Sequence, residues 1–271
     1  DLIWYGSIED LTLTENAQPA LMATTLAVFR ALQSEGLKLS DAKFVAGHSL
    51  GEYSALAMAG SLSISDAAKL LRVRGRAMQN SVPVGVGAMA AILGLTYSDL
   101  VAITKQAAGD GVCQAANDND PSQVVVSGHK DAVERAMEIA KEAGAKRVVL
   151  LPVSAPFHSE LMAPASLEMK DALSSISIVK PSIPLVSNVK AQAVTLPAEI
   201  RSLLVEQVTG VVRWRESIEW MVSNGVTEMM EIGAGRALSG MVRRINRSIS
   251  CVSISNPDEV AKVQFSQSET R

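Results

Sequence analysis

The chain has 271 residues, 48% of them hydrophobic, 20% charged and only 4% aromatic, enough to bury a substantial aliphatic core. A formal charge of -3 supplies no pull toward nucleic acid, and no basic tract is interleaved with aromatic residues. The longest apolar run, Val84 to Leu95, is too short to span a bilayer, and Cys113 and Cys251 stand far apart with no metal-ligand spacing. A cytoplasmic protein is therefore expected, with no membrane partner, no nucleic-acid partner and no metal.

The chain opens at Asp1 without methionine or a charged-then-apolar leader, and it reads as starting partway into a domain. Helical spacing of apolar residues predicts a buried helix from Gln18 to Leu32, closing near Gly36. A short strand, "KFVAG" (43–47), then leads into a helix, "LGEYSALAMAG", that stops at Gly60. A further helix starts at Ser63 or Ser65 and runs until "VPVGVG".

From Gly87 to Pro152 the predicted order is strand, helix, strand, strand, helix, strand, the pattern of a ferredoxin-like unit. The expected fold is therefore α/β: residues 1–86 and 153–271 form a hydrolase-like lobe around a mostly parallel sheet, and residues 87–152 an inserted ferredoxin-like subdomain. In the returning lobe, Ile183 to Val189 and Val226 to Gly233 are the candidate strands, with helices around them and a polar, peripheral tail after Asn256.

"GHSLG" (47–51) places Ser49 at the predicted strand-to-helix corner. Small neighbours let the turn tighten, and the amide of Leu50 is then free to meet a developing oxyanion at a helix N-terminus. An N-cap serine at a packed turn has the same local sequence; the strand before it and the helix after it favour a nucleophile. Of the three histidines, His48 adjoins the serine and His129 precedes a helix of the insert. His158, in "PVSAPFHS" after the strand leaving the insert, where Pro152 and Pro156 stiffen the loop, is the remaining candidate base, with a hydrogen-bonded loop histidine as the alternative. Arg74, in "RVRGRAMQ", is a candidate grip for a carboxylate, since a guanidinium pairs with one in two parallel bonds.

Taken in order, "GHSLGEYSAL", "RGRAMQ", "GAMAAILGL", "QVVVSGH", "PVSAPFHS", "VSNV" and "EIGAGRALSGMVRRI" resemble the malonyl-CoA:acyl carrier protein transacylases of bacterial fatty acid synthesis. The resemblance runs from Gln18 to Ile245. It implies a ping-pong transfer through an acyl-serine at Ser49, with His158 as general base and Arg74 on the malonyl carboxylate. It further implies that the backbone carbonyl of Gln207 orients the imidazole, that Phe157 crowds an α-methyl branch, and that Asn117 and Gln18 line the pocket.

Malonyl-CoA and an acidic acyl carrier protein are the implied partners, and coenzyme A enters only as part of substrate and product, with no other cofactor. Lys141, Lys146, Arg147, Arg243, Arg244 and Arg247 are candidate docking charges, and a monomer is expected. The family's opening strand, with a glutamine whose amide is the second oxyanion donor, has no counterpart before Gln18, so the chain is expected to lack it. Ala234 and the segment "TGVVRW" also depart from common family residues, away from the acyl chemistry. The competing expectations are a noncatalytic carrier-binding module and a malonyl-selective acyltransferase of polyketide synthesis. A serine esterase is disfavoured, because that class follows Ser, Asp/Glu, His order and has no such insert.

Overall fold

A computed structural model describes residues 1–153, 155–263 and Phe265. Two short helices, α1 (Leu2–Tyr5) and α2 (Ile8–Thr12), precede α3 (Thr14–Ser34), which starts four residues earlier than its apolar periodicity predicts and ends just before Gly36. Strand β1 (Val45–Ala46) feeds the Ser49 turn, followed by α4 (Gly51–Met58) and α5 (Ile64–Asn80), whose N-cap is Ser63. Close approach sets the angle between α3 and α5. A Cβ on Gly75 would lie 2.5 Å from the Glu15 Cα and 2.6 Å from the Thr14 carbonyl oxygen, so only glycine lets α5 lie this near the start of α3. Arg74 is thereby carried to Gln18.

The next six elements are β2 (Gly87–Leu93), α6 (Tyr97–Ala108), β3 (Cys113–Asp120), β4 (Gln123–His129), α7 (Lys130–Glu142) and β5 (Arg147–Leu150). They form one antiparallel sheet in the order β3-β4-β2-β5, the ferredoxin-like arrangement. Both faces of this sheet are buried, and alternation sorts them. Ala88, Ala90 and Ile92 pack with Val124 and Val126 under α6 and α7, while Met89, Ala91 and Val125 face the other way, against Phe157. The sheet's second face thus backs Phe157, which lines the candidate site.

The chain then returns through α8 (Ala163–Ser174), β6 (Leu185–Val186), β7 (Ala193–Val194), α9 (Pro197–Glu206), α10 (Trp214–Ser223), β8 (Glu228–Ile232), α11 (Ala237–Ile245), β9 (Ser250–Ile254) and α12 (Pro257–Val260). Strand β6 pairs parallel with β1 and antiparallel with β7, while β8 and β9 form a separate parallel pair. The strand predicted over Ile183 to Val189 is only Leu185–Val186. At Ser187 the chain turns, with Ala191 donating back to the Ser187 carbonyl at 2.8 Å, and this turn exposes Asn188 to the serine corner. β9 was not expected at all.

A buried polar seam joins β3 to the C-terminal helices. The amide of Val212 donates to the Ala116 carbonyl and that of Asp118 to the Val212 carbonyl, both at 2.9 Å. Asp118 pairs with Arg215 at 2.7 Å and Asp120 with Arg244 at 2.8 Å, each carboxylate being almost wholly buried. Buried carboxylates need such partners, because an unpaired one costs several kcal/mol.

Candidate active site

Gly47 makes the serine corner possible: a Cβ there would lie 2.0 Å from the Gly51 carbonyl carbon and oxygen. Ser49 itself sits at φ +51°, the left-handed region that a non-glycine residue occupies at a cost of about 1–3 kcal/mol. Asn188 holds the turn from both sides, its Oδ1 accepting from the Ser49 amide at 2.7 Å and its Nδ2 donating to the Gly47 carbonyl at 2.7 Å. The first bond of the α4 turn runs from the Gly51 amide to the His48 carbonyl, so the Leu50 N–H lies ahead of the helical ladder.

His158 also adopts a positive φ, +57°, and its Nε2 lies 2.8 Å from Ser49 Oγ. Its Nδ1 faces two carbonyl oxygens, Gln207 at 2.9 Å and Gly210 at 3.1 Å. Both can only accept, so the proton sits on Nδ1 and Nε2 is left to accept from the serine hydroxyl. Burial, and next the charge of Arg74, push the imidazole down to about 3, so it is neutral at physiological pH. The other histidines are engaged elsewhere: His48 Nε2 meets Asn119 Oδ1 at 2.8 Å, and His129 Nδ1 accepts from the Val112 amide at 2.9 Å.

Arg74 is buried without a direct carboxylate partner among the described residues. Its Nη1 donates to Gln18 Oε1 at 2.7 Å, and its Nη2 donates to Gln207 Oε1 at 2.8 Å and to Ser49 Oγ at 3.1 Å. Its Nε has no partner among the described residues. A guanidinium held by neutral amides beside a serine oxygen is a cation awaiting an anion. Ser49 and Arg74 open onto a cavity of about 360 Å³, whose wall includes Gln18, Leu50, Met78 and Phe157 together with Leu13 and Thr14 from the start of α3.

The structure therefore brings Ser49, His158, Arg74, Leu50, Phe157 and Gln18 together. One placement differs from expectation. Asn117 does not line this cavity; it is buried on β3, where its backbone bridges to Val212 in the seam. Gln207 meets the imidazole through its backbone carbonyl, as the resemblance implies, while its fully buried side chain reaches Arg74 and does not line the cavity. Of the expected docking charges, Lys141 is paired with Glu138 and Arg244 with Asp120, while Lys146, Arg147, Arg243 and Arg247 are exposed with no ion pair among the described residues.

Sequence reasoning missed Asn188 and Glu52. Asn188 stands in "VSNV", a motif quoted without a role, and Glu52 lies in the first turn of α4, where an acid reads as a helix-dipole partner. Glu52 is instead 1% exposed, and burial raises its carboxyl to about 7. Among the described residues no cluster of His, Cys, Asp or Glu could hold a metal ion, and no helix is long and apolar enough to cross a membrane.

Comparison with known proteins agrees with this architecture. The family model of the acyl transferase domain matches residues 2–254. The chain is 46% identical to the malonyl CoA-acyl carrier protein transacylase of Bacillus subtilis, over 96% of this chain and 81% of that protein. The acyl-carrier-protein S-malonyltransferase of Bartonella henselae superposes with a TM-score of 0.93 at 52% identity, covering 96% of this chain and 83% of the other. A malonyl-transacylase solved in complex with a type II PKS acyl-carrier protein superposes equally well, at 0.93 and 39% identity, over 96% of this chain and 84% of that one. With the serine corner, its histidine and the ferredoxin-like sheet all in place, the chain belongs to the acyl transferase domain family.

Proposed function

We propose that this chain is an acyl-carrier-protein S-malonyltransferase, moving malonyl from coenzyme A to the phosphopantetheine thiol of an acyl carrier protein for fatty acid synthesis. The observation that carries the reading is the single oxygen, Ser49 Oγ, held 2.8 Å from a neutral imidazole nitrogen and 3.1 Å from a buried guanidinium.

Ser49 Oγ attacks the thioester carbonyl of malonyl-CoA while His158 Nε2 takes its proton. The carbonyl oxygen becomes an oxyanion facing the Leu50 N–H at the start of α4. As the C–S bond breaks, His158 returns the proton to the departing sulfur, and coenzyme A leaves as the thiol. In the second half, His158 takes the proton of the carrier's thiol, whose sulfur attacks the serine ester; the proton ends on Ser49 Oγ. Coenzyme A and the carrier offer the same thiol arm, so one cavity serves both halves.

Arg74 pairs with the malonyl carboxylate, which an acyl group on Ser49 brings beside the guanidinium. Phe157 lines the same cavity, where its ring excludes an α-methyl branch. A neutral carbonyl in place of a triad carboxylate suits this anionic substrate, because it fixes the imidazole tautomer and adds no negative charge. Lys146, Arg147, Arg243 and Arg247 are the charges left for an acidic carrier. The chemistry needs no cofactor beyond the substrate's coenzyme A, residues 87–152 serve as the inserted subdomain, and the cytoplasm is the proposed location.

The test is transfer against hydrolysis: malonyl-enzyme mixed with carrier bearing phosphopantetheine should pass malonyl to that thiol faster than to water, and carrier lacking the arm should receive none. Release to water alone, at the same rate with either carrier, would contradict it. Similarity to the transacylase solved with a type II PKS carrier favours a second reading, service to a polyketide carrier, and comparing the two carriers' rates separates them.

A further inference from the structure

The geometry points to Glu52 as a positioning residue for malonyl recognition, acting on Arg74 by fixing which end of the Gln207 carboxamide faces the guanidinium. This rests on the transferase reading above and adds a residue to it.

The Gln207 side chain is fully buried, and its two ends meet incompatible partners. Oε1 accepts from Arg74 Nη2 at 2.8 Å; Nε2 donates to the Ser49 carbonyl at 2.9 Å and to Glu52 Oε2. Turned over, the amide would set its N–H groups against the guanidinium and its oxygen against a carbonyl and a carboxylate, losing all three bonds. Arg74 would then lose one of its two amide supports beside the nucleophile.

Glu52 is suited to prevent this because it meets two donors with two different oxygens. Oε2 receives Gln207 Nε2, and Oε1 receives the Asn188 amide at 3.3 Å. A carboxylate accepts strongly at both oxygens, whereas a glutamine has one accepting oxygen and an NH2 group that must face an N–H, and a protonated acid turns one oxygen into a weakly accepting hydroxyl. The requirement at residue 52 is therefore for an ionised acid rather than for its shape. The groups facing it are Tyr53 on its own helix, Arg74 on α5, Gln207 after α9, and Ser187 and Asn188 after β6. Tyr53 is raised by burial and the imidazole of nearby His158 lies far below neutrality, so Glu52, at about 7, is the group in this cluster that changes charge near neutral pH.

The readout is the ratio of kcat/KM for malonyl-CoA to that for acetyl-CoA, in which ionisations of His158 and of the thiol cancel. Glu52→Gln should lower this ratio at least tenfold, mainly through a higher KM for malonyl-CoA, with acetyl transfer nearly unchanged. In the wild type the ratio should rise as pH increases through about 7, and this rise should be absent from the Glu52→Gln enzyme. A parallel loss with both substrates, or an unchanged ratio, overturns the proposal. Should Glu52→Gln fail to fold, the wild-type profile decides alone, and a flat ratio is the refuting result. Formation of a malonyl adduct by the wild type reports separately on the transferase reading, and its absence defeats both.

Discussion

Arg74→Met removes the guanidinium while nearly conserving the volume of a fully buried side chain. In the proposed complex a bidentate pair with the malonyl carboxylate is lost, and two charge-assisted bonds at about 1.5–3 kcal/mol each total about 3–6 kcal/mol. At about 1.4 kcal/mol per factor of ten, kcat/KM for malonyl-CoA should fall by about 10² to 10⁴. Acetyl-CoA has no carboxylate, and its kcat/KM should stay within about tenfold. Folding stability should change little, because relief from burying an unpaired cation offsets the orphaning of Gln18 Oε1 and Gln207 Oε1. Acylation by the two thioesters, followed by thiol release, measures the activities, and a thermal melt checks the fold. Equal losses with malonyl and acetyl, or retention of malonyl activity within tenfold in a folded protein, would refute the role given to Arg74.

Phe157→Ala should open the cavity wall and raise methylmalonyl-CoA use relative to malonyl-CoA by about 10- to 100-fold, read as the ratio of kcat/KM values; an unmoved ratio would place the methyl-excluding wall elsewhere. His158 makes stability depend on pH. With its folded value near 3, below the unfolded 6.5, the neutral imidazole's contribution is complete above 6.5 and is lost as pH falls from there toward 3. His158→Asn should therefore lose less stability than wild type between pH 8 and pH 5, by about 2 kcal/mol in urea unfolding. The raised Glu52 carboxyl works in the opposite direction but is present in both proteins, so it cancels in the comparison. Identical pH slopes would contradict the buried neutral imidazole.

Local chemistry was the legible part of this chain. Helix α6, the first helix in the predicted ferredoxin-like order, has both ends written in the sequence: Thr96 and Asp99 form a reciprocal cap at its start, and Gly109 takes φ +58° after its end. The ferredoxin-like order was likewise readable from alternating apolar runs. Ser49 and His158, 109 residues apart, were paired by elimination among three histidines, and the family resemblance strengthened the pairing.

What escaped depends on long-range contacts that no periodicity records. Asn117 looks like a pocket residue in a polar stretch, but "NDND" is polar because it meets Val212, Arg215, Arg244 and His48 across the seam. Strand β9, "SCVSI", is short and half exposed, so its alternation is too weak to separate from a loop. Asn188 touches the serine corner only through backbone groups, Glu52 reaches the chemistry only through Gln207 and Asn188, and an acid one turn into a helix has an ordinary explanation available. The positive φ of Ser49 and His158 is a consequence of the tertiary fit at Gly47 and around the Gln207 and Gly210 carbonyls.

The central claim is that Ser49 carries the malonyl group, and intact-protein mass spectrometry after brief exposure to malonyl-CoA tests it directly. A single malonyl adduct, mapped to the peptide containing Ser49 and absent from Ser49→Ala, is the expected result. An adduct of the same stoichiometry on folded Ser49→Ala would contradict the account.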